Sequence, residues 1–543
     1  MTEYLPPREL WPSRIYTLPE FAAYPDRFNP TEELLDKQVN AGRGQHAAIL
    51  FEDQQISYAQ LLGQANKLGS ALRSLGIAEG DRVLLRSATI PPALVSNFAT
   101  LRLGAVFVPT SPLFSRTEIA HVANDSEAVA LIVHAALLSE VEAARENLST
   151  VKHIIVIGGD AAELKSKGYL TYGELLQSGQ ANLDPIRRGR EDLGIMLYTS
   201  GTTGRPKGTC HLVEELLIVP DAFGKYGWRV QENDIVGGSA PLAFGAGYST
   251  FATIPFRFGA TASLIARFEP EKMFDTIQKH HITVLSLAPT AYRKMLQVPD
   301  AEKKYDISSV RVCTGGGESL TAATYHAWKN KFGQEIFEGF GTTEMMYVFV
   351  SNVVSRKAKP GSFGQPVPGY EIKVLDEEGH DAAAGQIGRF VARGPTGTLY
   401  WRDVEKQRHA VTPDGWNRAG DFVYHDDDGY FWFVSREDDI IKSSGYRIGP
   451  EEIEMTLAGH PAVADVAVIG VPDPVRGQNA KAFIVLRPGE RVTAEELIEF
   501  CRNKIATYKL PREIEFTEEL PRTPTGKLMR RILKQGEATR VRS

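Results

Sequence analysis

The chain has 543 residues, 43% hydrophobic and 24% charged, with 61 Lys and Arg against 67 Asp and Glu for a formal net charge of −6. That is the composition of an ordinary globular protein, long enough for three or four units of about 150 residues that bury their cores without cross-links. It excludes a nucleic-acid binder held by bulk positive charge, and Cys210, Cys313 and Cys501, odd in number, far apart and without Cys-x-x-Cys spacing, exclude a disulfide scaffold and a zinc site.

In chain order, the start "MTEYLPPRELWPSRIY" has early prolines and acids and no apolar stretch of the signal-peptide kind. Short apolar runs then alternate with helical patterns from about residue 46 to 330. "HAAILF" and "RVLLRS" precede the helical "PPALVSNFATLRLG", which leads into "AVFVP"; "KHIIVIGG", "DLGIMLYTS" and "ITVLSLAP" are further buried strands. "AVALIVHAALL" from Ala128 is the longest apolar run and includes His134. It falls short of the roughly 18 residues of a membrane helix, so it too is assigned as a core strand with its flanks. The expectation is a cytoplasmic protein with neither membrane nor nucleic-acid partner.

Alternation on this scale predicts layered α/β structure with mainly parallel sheets. Between about 363 and 434, "GYEIKVLDEEG", "GQIGRFVARG" and "GYFWFVSRED" alternate with period two around Gly and Asp-Gly turns, predicting a smaller barrel-like β region. After "SREDDIIKSSGYRIG" the pattern restarts. "PEEIEMTLAGH" has Pro at a helix start and acids in its first turn. "VADVAVIGV" and "KAFIVLRPG" are strands, and "TAEELIEFCRNKIA" is a helix. This predicts a C-terminal α+β unit of about 100 residues, a second domain near residue 439.

Two stretches carry unusual chemistry. "YTSGTTGRPKG" (198–208) follows a strand and combines three Gly and four Ser or Thr hydroxyls with Lys207, a composition that lets backbone N–H groups, hydroxyls and an ammonium converge on an anion. It is not a Walker A loop, since Pro206 precedes Lys207 and Gly208 follows it. By itself the loop is equally compatible with a structural turn. "PRTPTGKLMRR" (521–531) has two readings as well: a basic tail with Lys527, Arg530, Arg531 and Lys534 facing water, or a lysine reagent carried on a separate module.

"YTSGTTGRPKG" resembles the phosphate-binding signature of the adenylate-forming superfamily of acyl-CoA synthetases, peptide-synthetase adenylation domains and firefly luciferase. Further stretches resemble that family's other motifs in order: "GGGES" (315–319), "GFGTTE" (339–344), "GWNRAGD" (415–421), "SREDDIIKSSGYRIGPEEIE" (435–454) and "PTGK" (524–527). Phe340 stands where Tyr is usual and Ala419 where Thr is usual; each change drops one hydroxyl and leaves the flat ring or Asp421 in place.

The resemblance implies an N-terminal adenylation domain, 1–437, of layered α/β sheets with the β region, and a small mobile α+β domain, 438–543. It implies that Thr199, Ser200, Gly201, Thr202, Thr203, Gly204, Gly317, Glu318, Ser319, Gly339, Phe340, Gly341, Asp421, Arg436 and Arg447 hold ATP and AMP. Lys207, Thr343 and Glu344 would serve the phosphates, with Glu344 as a hard oxygen ligand for Mg²⁺. Asp438 falls at the hinge position and Gly445 on the path of CoA.

In this family a carboxylate first attacks the α-phosphorus of ATP, releasing pyrophosphate. A thiol then attacks the acyl-adenylate and expels AMP. The first step brings an anion to a polyanion. One ammonium at about 4 Å and an effective dielectric near 20 is worth roughly 4 kcal/mol there, and losing it should cost on the order of 10²–10³ in rate. The thiol must enter where that ammonium stood, so a lysine on a mobile domain meets both demands. This assigns Lys527 as the catalytic lysine and sets aside the basic-tail reading for it.

The segment "SAPLAFGAGYSTF" (239–251) has no acid to pair an α-ammonium, which points to an acid without an α-amine. It is similar to benzoate–CoA ligases, as are "GTTEMMYVFVSN" (341–352) and "GQPVPGYEIKVLDEEG". That resemblance places His211, Ala243, Phe244, Gly245, Gly315 and Tyr347 around one aromatic ring, although each aromatic side chain is equally compatible with plain core, and His211 with a packed, hydrogen-bonded histidine. Phe244 stands where that pattern has Tyr, and Tyr347 where it has His, which implies a substituted ring. The N-terminal run looks most like 2-aminobenzoate–CoA ligases.

The expected partners are a small aromatic acid, ATP with Mg²⁺, and free CoA, on a monomer or homodimer, since the chain ends at Ser543 with no carrier domain after Lys527. Two alternatives stay open: an aryl acid–AMP ligase serving a separate carrier protein, and a nucleotide-binding regulator without turnover.

Overall fold

Runs of Val, Ile and Leu between helices become the inner strands of two large sheets. The structure, a computed structural model, describes residues 4–200, 205–355, 357–444, 446–502, 504–522 and 528–540, without the side chains of Ser200, Arg447 and 538–540. It divides into two compact units: Met1–Glu371 with Arg393–Asn417, and Ile372–Ala392 with Arg418–Ser543.

The first unit holds a seven-stranded sheet in the order Pro206–Leu212, Leu193–Ser200, Val106–Thr110, Arg82–Arg86, Ala128–His134, His153–Ile157, Leu170–Thr171. All neighbours are parallel except the first two strands, which are antiparallel and joined through the glycine-rich loop. The inner strands are buried along almost their whole length, as parallel strands covered on both faces must be. The helix Pro91–Arg102 begins with two prolines, whose missing N–H groups cost nothing in the first turn.

A nine-stranded sheet in the same unit runs Gln365–Pro366, Val348–Ser351, Ile336–Gly341, Val312–Gly316, Val284–Leu287, Ile235–Gly238, Thr261–Leu264, Ala47–Phe51, Gln54–Ser57. Its six central strands are mutually parallel, and antiparallel strands close both edges. Phe274, Tyr292 and Trp328 pack against one side of it in a core with Met273 and Ile277.

The topology positions the site. The segments 239–251, 315–319 and 339–344 leave the carboxyl ends of Ile235–Gly238, Val312–Gly316 and Ile336–Gly341. Those strands are parallel within one sheet, so all three segments emerge along one edge, where open α/β sheets bind ligands.

The second unit holds most of a four-stranded sheet, Glu371–Leu375, Gly388–Arg393, Asn417–His425, Phe431–Arg436, in the stretch expected to form a barrel-like β region. It also holds a five-stranded sheet in which Gly477–Leu486 pairs with Ile441–Ser443, Val463–Asp473 and Glu513–Phe516. Ile453, Leu457, Leu497 and Cys501, from the helices Pro450–Ala458 and Ala494–Arg502, cover this sheet with an apolar layer. Among the described residues no helix is long and apolar enough to cross a membrane.

Candidate active site

Lys207 lies at the start of Pro206–Leu212, paired in register with Thr199 across the ladder. The segment 399–401 runs along the other side of this strand: Cys210 N donates to Leu399 O at 2.8 Å and Trp401 N to Gly208 O at 2.9 Å. Glycine suits this approach, because a Cβ on Gly208 would lie a tight 3.1 Å from the Cβ of Trp401 and 3.1 Å from the Tyr198 ring. Tyr400 thereby comes to the strand that carries Lys207, where its hydroxyl donates to Glu344 Oε1 at 2.8 Å. Burial, reinforced by the Glu344 carboxylate, raises the Tyr400 phenol far above its ordinary range, so it stays a donor.

Two further charges complete this cluster. Asp403 Oδ2 is 3.5 Å from Lys207 Nζ, and Lys406 Nζ stands 3.8 Å from the centroid of the Tyr400 ring. Burial lowers the Lys406 pKa; Glu344 opposes that shift and the Lys207 cation adds to it. Asp403 caps the short helix Val404–Ala410 by accepting from Lys406 N at 2.9 Å. Tyr400, Asp403 and Lys406 were not among the expected site residues. The one sequence signal was the helix-capping Asp403, which is ordinary and says nothing of phosphates.

Along the edge of the nine-stranded sheet, Gly315 pairs with Glu338 and Gly316 with Gly339. Gly317 adopts φ +86°, and Ser319 is exposed. Glu318 accepts from Thr290 N at 2.8 Å and from Arg293 at 3.1 Å, which ties its carboxylate to the helix Pro289–Leu296. Phe340 is half-buried, its ring centroid 4.9 Å from Phe363 and 5.5 Å from Phe349. Past Gly341, Thr343 and Glu344 are half-buried in a turn closed by Met346 N donating to Thr343 O at 2.9 Å. Met346 has φ +69°, a left-handed conformation costly for a bulky residue and typical of backbone held for function.

The segments expected around an aromatic acid are in backbone contact: a Cβ on Gly245 would lie 2.3 Å from Met346 O. Ala243 and Gly245 are buried and Phe244 half-buried. Tyr347 is buried edge-on to Phe223 at 5.2 Å and Trp228 at 6.1 Å, with its phenol pushed up to about 12 by burial. His211 is fully buried, with Nδ1 2.8 Å from Glu215 Oε2, and Glu215 also takes Arg14 at 2.5 Å. His211 Nε2 and Thr209 Oγ1, two residues apart and so on one face of their strand, have no hydrogen-bond partner among the described residues. Cys210 faces the opposite side, in an apolar cluster with Met196, Leu212 and Trp401, where burial drives its thiol well up.

In the second unit, buried Asp421 is the register partner of exposed Arg436. Asp438 is exposed, and its carbonyl accepts from Lys534 Nζ at 2.7 Å. Lys534 also pairs with Asp439 at 2.8 Å. Arg530 is only 12% exposed and sits among Glu454 at 2.7 Å, Glu451 at 3.3 Å and Asp439 at 3.3 Å. Arg530 and Lys534 are therefore clamped rather than facing water, which corrects the basic-tail reading for those two. Gly201, Thr202, Thr203, Gly204, Gly445 and Lys527, with the side chains of Ser200 and Arg447, lie outside the described residues.

A carboxylate braced by a neutral phenol, two ammonium groups beside it and glycine-rich strand ends along one sheet edge together suit a nucleotide polyphosphate. Residues 35–401 match the AMP-binding enzyme family and 452–527 its C-terminal domain, and the chain belongs to that family. Among its relatives are the acetyl-coenzyme A synthetase of Bacillus subtilis, 32% identical over 94% of this chain and 91% of that protein, and the benzoate–CoA ligase of Thauera aromatica, 32% identical over 93% and 95%. Among solved structures, the anthranilate CoA ligase AuaEII in complex with anthranoyl-AMP superposes with a TM-score of 0.89 at 34% identity, covering 96% of this chain and all of that one.

The chain is thus an AMP-forming acid–thiol ligase that works with ATP, Mg²⁺ and CoA. Among the described residues no group of three or more His, Cys, Asp or Glu could hold an ion unaided. A single oriented carboxylate, Glu344, fits Mg²⁺ that arrives on phosphate oxygens, as this ion usually does. When bound, Mg²⁺ neutralises charge on those phosphates.

Proposed function

We propose that the protein activates 2-aminobenzoate, forming 2-aminobenzoyl-AMP and pyrophosphate from ATP, and then transfers the acyl group to CoA with release of AMP. The observation that carries this reading is the end-to-end likeness to a ligase solved with anthranoyl-AMP, joined to a 239–251 segment without any acid to hold an α-ammonium. The buried aromatic cluster around Tyr347 supports a flat acid. Three cysteines, all buried and unpaired, suit a reducing cytoplasm.

In this reading the residues divide the work. Thr199, the loop 200–204 and Lys207 cradle the phosphates, Thr343 donates to the α-phosphate, and Glu344 holds Mg²⁺. Gly317, Glu318, Ser319, Gly339, Phe340 and Gly341 line the adenine, with Gly315 turned to the aromatic acid, while Asp421 and Arg436 take the ribose and Arg447 a phosphate. His211, Ala243, Phe244, Gly245 and Tyr347 enclose the ring. Residues 438–543 turn at Asp438 between the two half-reactions. Lys527 serves adenylation and Gly445 the approach of CoA.

The likeness to a benzoate–CoA ligase favours a second reading, in which benzoate or another substituted benzoate is the acid. Mass spectrometry of products formed from Mg·ATP, CoA and an equimolar mixture of benzoate, 2-aminobenzoate, 2-hydroxybenzoate, 4-hydroxybenzoate, cinnamate and hexanoate separates them. A dominant 2-aminobenzoyl-CoA peak is expected. Another dominant aryl-CoA keeps the chemistry and overturns the acid, and aryl-AMP without thioester points to a carrier protein in place of CoA.

A further inference from the structure

Lys406 has a role that the sequence motifs do not give it. Its ammonium lies over the Tyr400 ring at 3.8 Å, and that ring's hydroxyl holds Glu344 at 2.8 Å. The side chain is half-buried, yet among the described residues no acceptor or ion-pair partner takes any of its three protons. Lys207, on the same cluster, is satisfied by Asp403 at 3.5 Å. Glu344 and Asp403 act on this ammonium only through space, against burial and the Lys207 cation, so its unused protons are free to form charge-assisted hydrogen bonds when a further anion enters. The aromatic face beneath it fixes its position at little cost in charge.

We propose that Lys406 is a second phosphate-binding cation, which with Lys207 grips the β- and γ-phosphates of ATP, the part that leaves as pyrophosphate. AMP lacks those two phosphates and should not engage it. The inference rests on the reading that Lys207 and Glu344 mark the phosphate end of the site.

The test is calorimetric binding of Mg·ATP and of AMP to the full-length protein and its Lys406→Met, Lys406→Arg and Lys207→Met variants. Met keeps an unbranched stem over the ring and removes only the charge. We expect Lys406→Met to weaken Mg·ATP about tenfold, the scale of one charge-assisted contact, while AMP stays within about twofold and Lys406→Arg recovers most of the ATP affinity. Equal weakening of ATP and AMP would mark a merely structural side chain and overturn the proposal. So would ATP binding unchanged in Lys406→Met but weakened in Lys207→Met. ATP binding unchanged in both variants would overturn the phosphate-site reading along with it.

Discussion

The proposed metal-ligand role of Glu344 needs its carboxylate held in one orientation, and the Tyr400 hydroxyl at 2.8 Å holds it. Because burial keeps that phenol protonated, it donates throughout the working pH range. A hydrogen bond to a charged group is worth about 1.5–3 kcal/mol, so Tyr400→Phe should slow ATP–pyrophosphate exchange roughly 10–100-fold. The exchange rate, followed at several Mg²⁺ concentrations, checks this, and an unchanged rate at all of them would remove Tyr400 from the site. Glu344 was singled out in the sequence because its neighbours form a contiguous motif. Tyr400 was not, because the pair is 56 residues apart and joined only when segment 399–401 docks on the strand after Lys207. His211 shows the same limit: the sequence left a packed histidine and a substrate-facing one open, and the fold pairs Nδ1 with Glu215 while Nε2 has no partner among the described residues. At Gly245 the physics is steric and simpler. Gly245→Ala forces a Cβ to within 2.3 Å of Met346 O, which should push 341–347 out of place and cost well over tenfold in adenylation rate, with an unaltered rate counting against the close approach.

Individual strands were legible from their apolar runs, but the order in which they pair was not. The nine-stranded sheet sets Ala47–Phe51 beside Thr261–Leu264 and so joins segments some 200 residues apart, a non-local choice that no local pattern encodes. That order decides which loops share an edge, and it also encloses Glu338 on the strand Ile336–Gly341. Glu338 Oε1 accepts from Leu320 N at 2.8 Å, yet burial pushes its carboxyl up from 4.5 to about 8. In the folded chain it keeps its proton to about pH 8, whereas the unfolded chain releases it near 4.5. Stability therefore falls as pH rises between these values and levels above about 8. Glu338→Gln keeps an acceptor for Leu320 N and abolishes this slope. Urea unfolding should show the variant gaining on the parent between pH 5 and pH 8.5, by on the order of 4 kcal/mol. A constant difference across that range would show that Glu338 does not titrate as its burial implies. In the second unit the helix Arg530–Arg540 is fastened by Arg530 to three carboxylates, and burial, with a smaller contribution from their crowding, raises Glu451 to about 7. Asp439 keeps Lys534 at 2.8 Å, but removing Arg530 leaves Glu451 and Glu454 buried without a cation among the described residues, so Arg530→Met should cost about 3–5 kcal/mol at pH 8 and less at pH 5.5, where the carboxyls take up protons. Equal losses at both pH values would refute that account.

The restart of the pattern near residue 439 set the expected boundary, whereas the second compact unit also takes in 372–392 and 418–437, whose strands lie in one four-stranded sheet. Compactness and the turn proposed at Asp438 are different properties, and only the second bears on the proposed two-step mechanism. Just beyond that turn, Lys534 holds the carbonyl of Asp438 and the side chain of Asp439, and Arg530 holds Asp439 too. The helix that begins three residues after Lys527 is thereby tied to the proposed pivot, so a turn at 438 must carry that helix with it. The chemistry asks for such a coupling. An ammonium at the α-phosphorus helps only while carboxylate meets triphosphate, and in the thiol step it would occupy space CoA needs. Lys527→Ala should therefore reduce adenylation on the order of 10²–10³-fold, read as acid-dependent pyrophosphate release, while thioester formation from supplied 2-aminobenzoyl-AMP and CoA changes by no more than about threefold. A lysine that only stabilised the C-terminal unit would slow both half-reactions alike, so the ratio of the two losses, not the size of either, decides between one rigid site and two alternating ones.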